Sequence, residues 1–257
     1  MLFIWLYNLL GFYIVFVFVG LLVLLLLLFM MLYPYFAKMS NKYEELEDGE
    51  LKTKLTNLLN KYGFSVRKIE VMKASERTTK SNASFSGAGK TKTIVLYDNL
   101  INNMTPDEIC AVFAHELGHG LHKDGFKNNI TTFFLVMLIV GSLFGLISYF
   151  NIYKDFGFNN INYGFAFVLL TYIILPYAST LIGLISNAVS RRAEYRADEQ
   201  AVIEGYGKDL ITGLKKLAKS NYAELNPSKL IVLLSYSHPP MVERITNIEK
   251  NIEKYNK

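Results

Sequence analysis

The run His115-Glu116-Leu117-Gly118-His119 sets two imidazoles four residues apart with a carboxylate beside the first. On a helix, residues four apart share a face with Cβ atoms about 5–6 Å apart, so both rings can reach one metal ion. Glu116 is then placed to take a proton from a water on that metal. With only four histidines in the chain, chance is a poor source of the pattern. The competing reading is two solvated histidines on an ordinary helix. The chemistry that suits the pattern is hydrolysis by metal-activated water, yet two histidines do not complete such a site. Catalytic zinc takes three protein ligands and keeps a fourth position open. Gly125, six residues past His119, cannot ligate, and His122 falls beside the site. The third ligand must come from a distant part of the chain.

The best candidate is Glu194, in Ser190-Arg191-Arg192-Ala193-Glu194-Tyr195-Arg196-Ala197-Asp198. Glu194 and Asp198 are again four apart. One can bind metal while the other accepts a hydrogen bond from a ligand histidine, fixing its tautomer. By spacing alone, a charged helix surface with local Glu–Arg pairs explains the stretch equally well.

Several elements must position these groups. Thr105, Pro106 and Glu108 form a capping-box start for the helix that carries the histidines, which should run to about Lys123 and end at Gly125. Before it come β-like runs at 66–72, 83–86 and 91–97, with Gly87-Ala88-Gly89-Lys90 turning between the last two. Glu44 to Glu50 reads as an acidic turn, followed by a short helix whose face is Leu51, Leu55, Leu58 and Leu59, with Gly63 past its end. Amphipathic helices near 208–220 and 241–255 close the chain.

Of the 257 residues, 51% are hydrophobic, and they are concentrated in three runs. No charge occurs from Met1 to Ala37, and further apolar runs span 130–152 and 161–190. Each reaches the roughly 20 residues that a membrane-spanning helix needs. The first lacks the basic start and the small-residue cleavage site of a signal peptide, so it reads as an uncleaved span. All but Lys154 of the 27 Lys and Arg residues lie in 38–129 and 188–257, as do all but Asp155 of the 22 acids. The balance excludes a polybasic surface for nucleic acid. The asymmetry places both polar segments on the cytoplasmic side and the 151–162 loop outside. Cys110 is the single cysteine, which excludes an internal disulfide; it reads as a small buried side chain.

Together these residues resemble the type I CAAX prenyl protease family, whose wider clan includes the bacterial heat-shock membrane protease HtpX. Beyond the histidine motif, the resemblance lies in Ser81 to Gly87 with Thr93 to Asp98, in Ser190 to Asp198, and in Ser237-His238-Pro239-Pro240 with Glu243-Arg244. Tyr33-Pro34 and the acidic turn resemble the family's exit from a span. It covers roughly residues 25 to 250, in family order. The resemblance implies one Zn²⁺ per chain, held by His115, His119 and Glu194, with Glu116 as base and Asp198 behind a ligand. It implies that Asn82 and Ala83 line a groove where substrate adds as a strand, that His238 faces the developing oxyanion, and that Arg244 anchors that segment. His238 also reads as a capping or core histidine. The departure is N-terminal: prenyl-protease members carry several more spans before the one seen here, which bears on the lipid chamber rather than on the zinc chemistry.

The expected fold is mainly α: an integral, multi-pass membrane protein with about three transmembrane helices and a zincin-like catalytic domain containing a small β-sheet. Its parts are an N-terminal span (1–37), a catalytic segment with the edge strand and histidine helix (38–129), a transmembrane hairpin (130–187) and a C-terminal catalytic segment (188–257). The expected function is zinc metalloendopeptidase, with its active site facing the cytoplasm. The alternatives are a general membrane quality-control protease rather than a CAAX processor, and a non-catalytic membrane partner that keeps a structural zinc. Expected partners are a peptide or protein substrate and membrane lipid, with homo-oligomerisation left open.

Overall fold

The computed structural model describes residues 41–256, except 80, 87–90, 161–164, 166–167 and 226, together with scattered positions between Leu9 and Met39. The expected N-terminal span and the Gly87–Lys90 turn therefore lie largely or wholly outside the described residues.

The described chain is mainly helical with one small mixed sheet. Strand β1 (Tyr43–Glu45) leads to helix α1 (Glu50–Lys61), then β2 (Ser65–Met72), β3 (Ala83–Ser86) and β4 (Thr91–Tyr97). The sheet order is β1-β2-β4-β3, which puts β3 at an edge. β2 and β4 run parallel with Ile69 opposite Ile94; β3 runs antiparallel to β4 with Ala83 opposite Leu96. Alternation sends Ile94 and Leu96 to the same buried face. There they join Leu55, Leu58 and Leu59 of α1 in the core. The segment from Glu44 to Glu50 is not all turn. Its first residues pair with β2 as β1, an edge strand whose exposed side tolerates acidic side chains.

Short helix α2 (Asp98–Asn103) is followed by α3 (Pro106–His122), which carries the histidine motif. Thr105 caps α3: its hydroxyl accepts from Glu108 N–H, and the Glu108 carboxylate accepts from Thr105 N–H. Gly125 does not end α3. Lys123 takes the left-handed turn at φ 54° instead, and α4 (Asp124–Tyr149) starts at the next residue.

A π-helical turn (Leu169–Ile174) opens into α5 (Leu175–Ile203), which passes through Arg192 and carries Glu194 and Asp198. Helices α6 (Gly207–Ser220), α7 (Lys229–Ser235) and α8 (Met241–Tyr255) complete the fold. Helix α7 was not legible from periodicity, and it buries none of its side chains.

Helices α3 and α5 pack against each other, and they touch at Gly118. A Cβ there would lie 2.9 Å from Ala197 Cα, so only glycine permits this approach. Large apolar side chains stay exposed along α4 (Phe126, Ile130, Phe133, Phe134, Leu138) and α5 (Tyr177, Leu181, Ile185). Among the described residues, no helix is long and apolar enough to cross a membrane.

Candidate metal centre

The α3–α5 crossing decides what meets what. His115 and His119 flank Gly118 on one helix, and Glu194 lies three residues before Ala197 on the other. One ligand atom from each of His115, His119 and Glu194 falls within 4.8 Å of the others, a donor set able to hold a metal ion. The imidazoles meet edge to face with centroids 4.8 Å apart.

Each ring is fixed from behind. His115 Nδ1 lies 2.9 Å from Asp198 Oδ1, and His119 Nδ1 lies 3.0 Å from Asp124 Oδ2. With both Nδ1 atoms engaged, the two Nε2 atoms face Glu194, at 3.5 Å and 3.2 Å. Asp198 is the carboxylate that the four-residue spacing offered. Asp124 was not anticipated, although searching for a partner for each histidine Nδ1 just past the helix end would have found it.

Arg244 enters from α8 and binds the buried Asp198 with two nitrogens, Nε at 2.9 Å and Nη2 at 2.6 Å. Its Nη1 approaches Glu194 Oε2 at 3.2 Å, but without hydrogen-bond geometry. That carboxylate oxygen is therefore buried with no hydrogen-bond donor. A buried acceptor left this way is costly unless a cation meets it. A carboxylate oxygen and two inward Nε2 atoms suit zinc.

Burial disfavours charge on His115, but the carboxylates of Asp198 and Glu194 beside its ring raise the pKa to about 9. Burial would likewise raise Glu194 and Asp198, yet the neighbouring histidines and Arg244 hold both below the usual carboxylate range. Glu116 moves the other way: burial pushes its carboxyl up, against the pull of His115 and His119. Among the described residues it makes no ion pair of the kind that Glu194 and Asp198 make.

A cavity of about 260 Å³ is lined by His115, Glu116, His119, Glu194, His238, Arg244 and Asn82, with an apolar wall that includes Leu210, Leu214 and Leu217. His238 is exposed at its rim, with Nε2 3.3 Å from Glu194 Oε1 and Nδ1 2.9 Å from Ser237 Oγ. Asn82 carries on the β3 ladder, its carbonyl accepting from Tyr97 N–H, and its side-chain oxygen accepts from Ala83 N–H. Ala83 itself points into the core. His122 stays outside the donor set.

Residues 45–252 match the family model described as peptidase family M48. The chain is 36% identical over 233 residues to the CAAX prenyl protease 1 homolog of Arabidopsis thaliana, covering 88% of this chain and 53% of that protein. It is 34% identical to CAAX prenyl protease 1 of Saccharomyces cerevisiae, covering 84% and 51%. It thus spans about half the length of these relatives. The crystal structure of S. mikatae Ste24p superposes with a TM-score of 0.78 at 32% identity, covering 96% of this chain and 61% of that one.

Proposed function

This chain belongs to peptidase family M48, and we propose that it is a zinc-dependent endopeptidase of the membrane. The observation that carries this reading is the convergence of His115, His119 and Glu194 in a cavity that also holds Glu116 and reaches Asn82 at the sheet's edge strand.

His115, His119 and Glu194 would hold the ion. When bound, zinc supplies Lewis acidity that polarises a scissile carbonyl and makes water a stronger acid near neutral pH. Glu116 accepts the proton of the attacking water and returns it to the leaving amine. His238, at the cavity rim, donates to the developing oxyanion. Asp198 and Asp124 hold the two ligand rings in one tautomer and one orientation. Arg244 balances the buried charge of Asp198 and joins α8 to the centre. The Asn82–Ala83 edge offers main-chain groups to an extended peptide, a mode that tolerates varied side chains.

We place the protein in a membrane through three spans, with segments 38–129 and 188–257 on the cytoplasmic side. The three apolar runs, the distribution of charge and the exposed apolar side chains of α4 and α5 support this placement. The names of the relatives make a prenylated CAAX-type protein the first substrate class to try.

The test is metal analysis and peptide cleavage on the purified chain beside Glu116→Gln. Stoichiometric zinc in both, with cleavage in the wild type alone, is expected. A metal-loaded wild type that cleaves no peptide, or a variant that keeps more than a few per cent of the activity, would overturn the assignment.

A further inference from the structure

Two cavities meet at the donor cluster, and their walls differ in chemistry. The one that reaches Asn82 is walled partly by leucines. The second, about 280 Å³, shares His119, Glu194 and His238 with it and extends between the start of α4 and the middle of α5. Its charged wall holds two bases, Lys127 and Arg196, and two acids, Asp124 and Glu194.

The acids in that wall are already engaged. Asp124 lies between His119 Nδ1, at 3.0 Å, and Arg196 Nη2, at 2.7 Å. Glu194 faces the two histidines. Among the described residues, the Lys127 ammonium has no ion-pair partner. Once Arg196 is set against Asp124, Lys127 is left as an uncompensated positive charge beside the metal centre. Such a wall favours an anion, and a lysine with an arginine fork binds carboxylate through charge-assisted hydrogen bonds. A group seated here lies against His119 and Glu194 of the donor cluster, so it belongs to the molecule being cleaved.

We infer that this cavity is a subsite for a carboxylate of the substrate, either an acidic side chain near the scissile bond or a chain-terminal carboxylate. The inference rests on the peptidase reading, which it makes more specific: Lys127 is the residue that selects charge, and Arg196 assists while it holds Asp124 against His119.

The test uses one quenched fluorescent peptide on the zinc-loaded full chain in detergent. Its terminus is free or amidated, and Asp, Asn or Lys is placed in turn at each position flanking the cut. The wild type should prefer one carboxylate-bearing peptide by about tenfold in kcat/KM, what one charge-assisted hydrogen bond of about 1.4 kcal/mol supplies, mostly through KM. The terminal and side-chain series separate the two sources of the carboxylate. Lys127→Gln should shrink the preference to about twofold, and Lys127→Glu should turn it toward the Lys peptide. A purely structural role for Lys127 would not reverse the charge preference. Equal cleavage of charged and neutral peptides by the wild type, or a preference unchanged in both Lys127 variants, would overturn the subsite. Should the wild type cleave no peptide, the peptidase reading fails by itself. The subsite is then judged by binding of the same peptides to Glu116→Gln, where a Kd indifferent to charge overturns it and one that follows the carboxylate supports it.

Discussion

Gly118 and Ala197 bring two helix backbones into direct contact: a methyl group on Gly118 would stand 2.9 Å from Ala197 Cα and 3.0 Å from Gln200 Cβ. The first of these obstacles is backbone and cannot rotate away. Gly118→Ala should therefore push α3 and α5 apart, at a cost of about 1–3 kcal/mol. Because the proposed ligands sit on both helices, zinc affinity should fall along with thermal stability. Titration with a competing chelator, beside a melting curve, reads both. A variant of wild-type affinity would show that the crossing does not set the ligand geometry.

Glu194→Ala removes the one carboxylate of the donor set while leaving both histidines. Bound zinc, measured by elemental analysis after dialysis, should drop well below one per chain. Full occupancy would place the third ligand elsewhere.

Asp198 holds His115 and Asp124 holds His119, the two proposed ligands, but their surroundings separate the effects of removing them. Asp198→Ala strands the buried Arg244, which should cost about 3–5 kcal/mol of stability as well as zinc affinity. Asp124→Ala leaves the half-exposed Arg196, so its main effect should be a loss of about 10–100-fold in zinc affinity. Equal losses of stability in the two variants would contradict this division.

Asp98 ties the loop after β2 to the start of α2. It accepts from Ala74 N–H, Ser75 N–H, the Ser75 hydroxyl and Asn99 N–H. Burial alone would raise its pKa, but those donors hold it below the ordinary aspartate value of 3.8. A depressed folded-state pKa contributes stability that is fully present above the unfolded value and lost as pH falls through the folded one. The gap in melting temperature between wild type and Asp98→Asn should thus be largest near neutrality and close below about pH 3.8. A gap constant down to pH 2 would rule out the carboxylate charge as its source.

The proposed membrane placement puts Glu45 and Ser220 on one side and Phe156 on the other. Cysteines introduced singly at these positions report their side by reagent access in sealed vesicles, and the native Cys110 is buried and silent. Labelling of all three from one side would exclude three spans.

Much of this arrangement is legible in the sequence wherever a local rule coincides with the tertiary requirement. The capping box fixes the start of α3 at Thr105, and the period-two pattern locates β2 to β4 within a residue or two. The four-residue spacings put each pair of site groups on one helix face. What escaped was tertiary or statistically rare. Gly125 looked like the stop after α3 because left-handed backbone is disfavoured for residues with a Cβ, yet Lys123 adopts it. That misplaced boundary hid Asp124, whose role exists only because α4 begins there. Arg244 is legible through the family resemblance alone, because no local periodicity encodes its reach to Asp198 from a helix 46 residues on.

The single residue between α3 and α4 also leaves no slack between the metal centre and an apolar helix. Inserting one residue into a helical path turns everything beyond it by about 100° and advances it by about 1.5 Å. Such an insertion at Lys123 would swing Asp124 off His119 and the exposed phenylalanines of α4 to a new heading in the same stroke. The orientation of α4 and the aim of His119 are one setting, so this junction tolerates substitution far better than any change of length.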